Sequence, residues 1–307
     1  MAPRPGPNRS KGFECRTVDR LPLNQALEQA RDVSTKSILS ALTGLQSPVA
    51  QAVAHAVTGG KGLRAFLVLE SARLHGIPPD HAAPAAAAIE ALHAYSLVHD
   101  DLPCLDNDAL RRGQPTVHVK WDEATAILAG DALHSLSFQL VMDVRTSAEN
   151  KVCLSQTLAE AAGLRGMVGG QEMDIAAETA LSQLTLDEIT MLQAGKTGAL
   201  IRWSAMAGAR MGGADTDNLG IYGACLGLAF QIADDILDVT GDASRVGKAV
   251  GKDEGAGKAT FVSHLGLEGA RIFAGDQIAE ACEAVSEYGP DADTLREAAH
   301  FVISRDS

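Results

Sequence analysis

Aromatic side chains are scarce in this chain, with seven Phe, three Tyr and two Trp among 307 residues. The core must therefore be assembled from Ala, Leu, Val and Ile, a profile that favours helices. Proline is absent between Pro115 and Pro290, so nothing there forces a break in helical hydrogen bonding. The five cysteines, Cys15, Cys104, Cys153, Cys225 and Cys282, are odd in number, far apart and form no CxxC pair. That excludes a disulfide framework and a thiolate zinc site, and it fits a reducing cytoplasm. Basic residues are also in deficit, 26 Lys plus Arg against 39 Asp plus Glu, for a formal charge of -13. Such a balance does not neutralise a phosphate backbone, so nucleic acid is excluded as a partner. No long apolar run is evident; the richest, residues 82–98, is interrupted by Pro84, Glu90 and His93, and neither a bilayer span nor a membrane anchor is expected.

The length suits one large domain or a tightly fused pair. Residues 1–20 open with a basic, Pro-rich stretch that lacks the apolar segment of a secretory signal. They read as a disordered lead-in without a functional role, and residues 21–307 as one folded domain. Ala/Leu-rich sequence at i, i+3, i+4 spacing, as at Leu128, Leu133, Leu136 and Leu140, predicts an all-α protein. Loops are expected at 76–80, 211–215, 241–257 and 288–291, and no internal repeat points to a solenoid.

Chemistry concentrates in two acidic clusters. The first, His99-Asp100-Asp101-Leu102-Pro103-Cys104-Leu105-Asp106-Asn107-Asp108, follows an almost uncharged helical run. On a continuous helix Asp100 and Asp106 would stand about 120° apart. Pro103 should end or distort that helix and let the later carboxylates fold back. Crowded carboxylate oxygens suit hard Mg2+, which takes further oxygens from a substrate's phosphates. A solvated acidic helix end competes equally with that reading while this cluster stands alone. The second cluster, Phe230-Gln231-Ile232-Ala233-Asp234-Asp235-Ile236-Leu237-Asp238, places Asp234 and Asp238 about 40° apart on one helix face. Two such helix ends facing each other would hold several metal ions.

Cationic groups accompany them: Arg111 and Arg112, Lys196 in Lys196-Thr197-Gly198, and Lys248 and Lys258 in a Gly-rich stretch. Arg matches the forked oxygens of a phosphate, and Lys supplies a point charge. Each taken singly is a surface charge; their placement beside the acids gives them meaning. Gly59-Gly60-Lys61-Gly62-Leu63-Arg64 opens another apolar segment, and its glycines would let an anion approach backbone N–H groups at a helix start. It lacks the GxxxxGK[ST] pattern, which excludes a nucleotide P-loop.

Together these residues resemble the short-chain trans-prenyl diphosphate synthases, bacterial farnesyl diphosphate synthases most of all, from about Gly59 to the C-terminus. HDDLPCLDNDALRRGQPT (99–116) is similar to the first aspartate-rich motif in its DDxxxxD form, and FQIADDILD (230–238) to the second. GGKGLR resembles the family's GGKRLRP, KTGAL (196–200) its KTG motif, and GGQEMD (169–174) its GQxxD motif. Gly62, Ala65 and Ala109 stand where the family usually has Arg, Pro and Asp. The resemblance implies a helical bundle around a deep cavity, usually a homodimer. Asp100, Asp106 and Asp234 would then hold Mg2+, with Mn2+ as a substitute. With the metal, Arg111, Lys196, Lys258 and Gln231 would grip an allylic diphosphate, and Asp101, Asp235 and Asp238 would support them. Gly60, Lys61, Arg64, His93 and Arg112 would take the diphosphate of isopentenyl diphosphate, with Lys248 near the closing mouth. Gln171 and Asp174 belong to the GQxxD motif, and Lys196 and Thr197 would steady an allylic cation. Tyr95, five residues before the first motif, would limit the product to farnesyl diphosphate.

Three alternatives compete. A catalytically silent regulatory subunit would be expected to lose metal or diphosphate ligands, which this chain keeps. A terpene cyclase would not need Lys61, Arg64 and Arg112. A geranylgeranyl diphosphate synthase is the nearest rival, because DDLPCLDND also resembles members of that group.

Overall fold

The computed structural model describes residues 20–180, 182–240 and 259–304. The expected loop at 241–257, Lys248, Lys258, Cys15 and the lead-in except Arg20 lie outside the described residues. Arg20 belongs to the folded body, where its guanidinium pairs with Asp293 at 2.7 Å.

Helices dominate, as the aromatic-poor composition predicts. In chain order they are α1 Leu23–Ala41, α2 Pro48–Ala56, α3 Leu63–Leu74, α4 Pro79–Asp100, α5 Val117–Lys120, α6 Glu123–Asp143 and α7 Ala148–Ala162. There follow α8 Met167–Glu178, α9 Leu186–Gln193, α10 Ala199–Gly212, α11 Asp217–Thr240, α12 Phe261–Ala284 and α13 Asp293–Ile303. Short polar side chains start several of them. Ser47, Asp122 and Ser147 each accept an N–H of the first turn, and Thr185 and Thr260 form reciprocal capping boxes.

The small-residue core allows close helix approach. α4 buries Ala82, Ala85, Ala86, Ala87, Ala88, Ile89, Ala91 and Leu92 completely among α1, α3 and α6. At the α3–α10 crossing a Cβ on Gly208 would stand 2.1 Å from the Ser71 carbonyl carbon, so only glycine permits that approach. The few large rings are spent inside: Trp203, Tyr222, Phe66 and Phe261 are all fully buried. The Tyr222 hydroxyl donates to Leu295 O at 2.8 Å, which removes the cost of burying it.

Three details differ from the sequence reading. A two-residue antiparallel hairpin, β1 Leu110–Arg111 and β2 Gln114–Pro115, follows the first acidic cluster. Its strands are too short to show alternation, and its turn places Arg112 and Gly113 at φ 54° and 73°. Of the four leucines read as one apolar stripe on α6, Leu133 and Leu140 are buried, but Leu128 is exposed. Finally, α11 is long and apolar enough by length and composition to cross a membrane, a segment passed over in favour of 82–98. It is mostly buried here, between α10 and α12, and carries three aspartates near its C-terminal end.

Candidate active site

The first acidic cluster folds back as Pro103 requires. α4 stops at Asp100, and the Asp106 N–H donates to Asp100 O at 2.8 Å, returning the chain onto the helix end. Asn107, between two aspartates, adopts φ 52°, a left-handed conformation that Asn tolerates better than other non-glycine residues and that the tight return uses. Asp101 is buried and takes the Arg111 guanidinium, with Nε at 2.9 Å, and Asp108 lies 3.4 Å from the same group. Burial works against the charge on Arg111, but Asp101 and then Asp108 hold its pKa above the ordinary value. The hairpin is thus anchored to the end of α4 by one ion pair.

Asp100 is less comfortable. Burial pushes its pKa up to about 6; Lys196 and Arg111 oppose that shift, while Asp106 and Asp101 add to it. A carboxylate kept among other carboxylates in a partly desolvated place is one that a cation would stabilise.

Lys196 comes from the second half of the chain. Residues Ala194–Gly198, which carry the AGKTG sequence, form a π-helical turn between α9 and α10, an irregularity frequent at functional sites. Lys196 Nζ donates to Asp174 on α8 at 2.5 Å. Gly170 makes that approach possible, since a Cβ there would lie 2.0 Å from the Lys196 nitrogen. Gln171 sits half-buried beside Gly170 on α8, and Thr197 is half-buried in the π turn.

On α11, Asp234 is exposed and Asp238 half-buried, with Gln231 half-buried one turn before Asp234. Asp235 is buried, and its carboxylate accepts the Phe261 N–H at 2.8 Å, which ties α11 to the start of α12.

The third group is cationic. Gly59 and Gly60, at φ 84° and 94°, cradle the Arg112 guanidinium, which donates to Gly59 O at 3.0 Å. A Cβ on Gly60 would meet that guanidinium carbon at 2.8 Å and push the Arg112 side chain aside, and φ 94° itself favours glycine. Lys61 is exposed at the start of α3. Arg64, one turn on, has a buried Nε with no hydrogen-bond partner. Its pKa is lowered by burial; Glu90 opposes this, Arg112 adds to it, and Asp234 opposes it. Burial, then Arg64, Arg112 and Arg111, hold the His93 imidazole well below its usual range, so it is neutral near pH 7. A neutral imidazole offers a hydrogen bond without adding to the repulsion.

Among the described residues, charges from separate motifs lie near enough to act on one another. Lys196 acts on Asp100 and Asp234 on Arg64. Tyr95 lies to one side, its ring edge-on to His99 at 5.1 Å and to His134 of α6 at 5.2 Å, with Phe138 beyond. Two neighbours escaped the sequence reading. Asp108 supports Arg111, and Glu90 faces Arg64 and Arg112; the latter's only sequence signal was a lone acid in an apolar helix.

The donor set fits Mg2+, although among the described residues no three acidic, His or Cys side chains converge into a ready-made cage. The exposed Asp106 beside half-buried Asp100, with Asp234 exposed on α11, suits an ion that keeps waters and completes its shell from a substrate.

The family model described as "Polyprenyl synthetase" matches residues 46–292. The chain belongs to that family. It is 40% identical over 294 residues to a farnesyl diphosphate synthase of Haemophilus influenzae, covering 92% of this chain and 99% of that one. A solved FPP/GFPP synthase from Zymomonas mobilis superposes with a TM-score of 0.84 at 40% identity, covering 91% of this chain and 98% of that one. A geranyltransferase of Helicobacter pylori, solved with magnesium and isoprenyl diphosphate, superposes with a TM-score of 0.75 at 32% identity, covering 91% and 96%. The protein is accordingly a trans-prenyltransferase of the all-α isoprenyl diphosphate synthase fold.

Proposed function

We propose that this prenyltransferase condenses isopentenyl diphosphate with dimethylallyl and then geranyl diphosphate to give farnesyl diphosphate. The observation that carries the reading is the return of Asp106 onto the end of α4, its N–H on Asp100 O at 2.8 Å, beside two cations already held by carboxylates, Lys196 by Asp174 and Arg111 by Asp101. Similarity to farnesyl diphosphate synthases over nearly the whole chain supports the product.

Asp100, Asp106 and Asp234 would hold Mg2+, and Asp238 supports them from the second helix. Bound there, Mg2+ supplies positive charge that makes the allylic diphosphate a leaving group. The chain's own cations reinforce that effect, because Lys196 and Arg111 donate to the diphosphate oxygens as the allylic C–O bond breaks. Both are held by carboxylates in the present structure, Asp174 and Asp101, so each is oriented before substrate arrives. Gln231 adds a neutral donor, and Lys258, outside the described residues, is assigned to the same diphosphate. Lys61, Arg64, Arg112 and neutral His93 orient isopentenyl diphosphate so that its double bond attacks the allylic carbon. Diphosphate departs with the electron pair of the C–O bond and leaves an allylic cation, the double bond forms the new C–C bond with it, and the cation that results loses a proton to the departed diphosphate. The Thr197 hydroxyl and Lys196 carbonyl steady the allylic cation, and an apolar cavity excludes the water that would quench it.

A homodimer in the cytoplasm is the setting the reading implies. Incubation with isopentenyl diphosphate, Mg2+ and each allylic primer, followed by chromatography of the dephosphorylated products, tests it. Farnesol as the dominant alcohol is expected; geranylgeraniol would favour the longer-chain synthase, and no elongation would refute the assignment.

A further inference from the structure

Among the described residues, Glu90 is the sole carboxylate lining a narrow recess between α1, α4 and the Gly59–Gly62 turn, where Arg31, His93 and Arg112 also present side chains. Isolated acids in a cationic recess that is to receive an anion are costly unless they do something structural.

The structure shows what Glu90 does. α3 begins at Leu63, and its first intrahelical bond runs from the Phe66 N–H to Gly62 O at 2.8 Å. The Ala65 N–H precedes that bond and has no partner within its own helix. Glu90 Oε1 accepts it at 3.0 Å, across 25 positions of sequence. A proline at this position, the residue of the GGKRLRP pattern, would have no such proton to give. The contact is therefore a property of this chain, made possible by Ala65. Its geometry matters because Lys61 lies just before α3 and Arg64 in its first turn, while α4 carries His93 three residues after Glu90. Glu90 is also the strongest attractive charge acting on both Arg64 and Arg112.

We propose that Glu90 is a positioning residue. By accepting the Ala65 N–H it locks the start of α3 onto α4 and holds Arg64 against His93 and Arg112 in the arrangement that receives isopentenyl diphosphate. This rests on the substrate assignment above, and Arg64→Ala serves to separate the two.

The test is steady-state kinetics of the full chain with each substrate varied in turn, on variants whose helical circular dichroism matches wild type. Glu90→Ala should raise KM for isopentenyl diphosphate about tenfold, the worth of one charge-assisted hydrogen bond, and change KM for the allylic primer less than about twofold. Glu90→Gln keeps an acceptor oxygen and should stay within about threefold of wild type. In an Ala65→Pro background, which has no donor to lose, Glu90→Ala should cost clearly less than in wild type, the remainder being the lost attraction on Arg64 and Arg112. If Glu90→Ala does not fold, Glu90→Asp, one methylene too short to reach, must show the same split between substrates. An unchanged KM, an equal effect on both substrates, or a full Glu90→Ala penalty in the proline background would overturn the proposal. Arg64→Ala without effect on isopentenyl diphosphate would instead overturn the substrate assignment itself.

Discussion

Replacing Tyr95 by Ala tests how the bundle limits chain growth. At about 1.5 Å per residue, Tyr95 stands about 7.5 Å below Asp100 along α4, but about 140° around the helix axis from it. Its ring must lean sideways to influence a growing tail, and the structure shows where it leans. It meets His99 at 5.1 Å and His134 at 5.2 Å, so one aromatic column joins α4 to α6 beneath the metal end. Burial, then Asp100 and Asp131, raises the phenol pKa, so the hydroxyl is neutral at any working pH. Truncation removes a half-buried ring from the middle of that column and should cost about 2 kcal/mol, roughly half the penalty of a fully buried aromatic. The fold should survive, and the space of one ring becomes available to the prenyl tail. Product analysis with excess isopentenyl diphosphate should then show a shift from farnesyl toward geranylgeranyl and longer diphosphates. Should a folded, active Tyr95→Ala enzyme still make only farnesyl diphosphate, Tyr95 merely packs between helices, and the floor lies elsewhere.

Other outcomes follow from particular contacts. Arg64→Ala should raise KM mainly for isopentenyl diphosphate, and Lys196→Ala should raise it mainly for the allylic substrate; equal effects would contradict the division of the cations. Asp235→Ala leaves the Phe261 N–H without its acceptor in a buried place, and should cost about 1–3 kcal/mol with a lower Tm in thermal melts. An unchanged melting curve would show that water or another group replaces that carboxylate. Gly170→Ala would drive a methyl group into the Lys196 backbone and should lower both kcat and Tm; an unchanged melting curve would show that the α8–π-turn contact yields easily.

Much of this site is legible in sequence because the constraints are local. Pro103 comes just after the last turn of α4, which runs through Pro84 near its start, and the return of Asp106 onto Asp100 follows that stop. The i, i+4 spacing of Asp234 and Asp238 is likewise fixed by helix geometry. What escaped depends on distant partners. Asp235 reads like its neighbour Asp234, and only the arrival of α12 gives its carboxylate a structural role. Glu90 counts in the sequence only as an interruption of an apolar run; its bond to Ala65 becomes visible when α3 and α4 lie side by side. The β1–β2 hairpin is too short for any periodicity, and its turn uses Arg112 at positive φ where Asn or Gly would have signalled it.

The central claim is that the two acidic helix ends act together on one metal-bound diphosphate. Turnover of isopentenyl and geranyl diphosphates by wild type, Asp100→Ala and Asp234→Ala, with Mg2+ and then with excess EDTA, measures it directly. The account predicts full dependence of wild type on Mg2+ or Mn2+ and a loss of several orders of magnitude in each variant, with folding retained. Undiminished prenyl transfer in EDTA, or by either alanine variant, would contradict it.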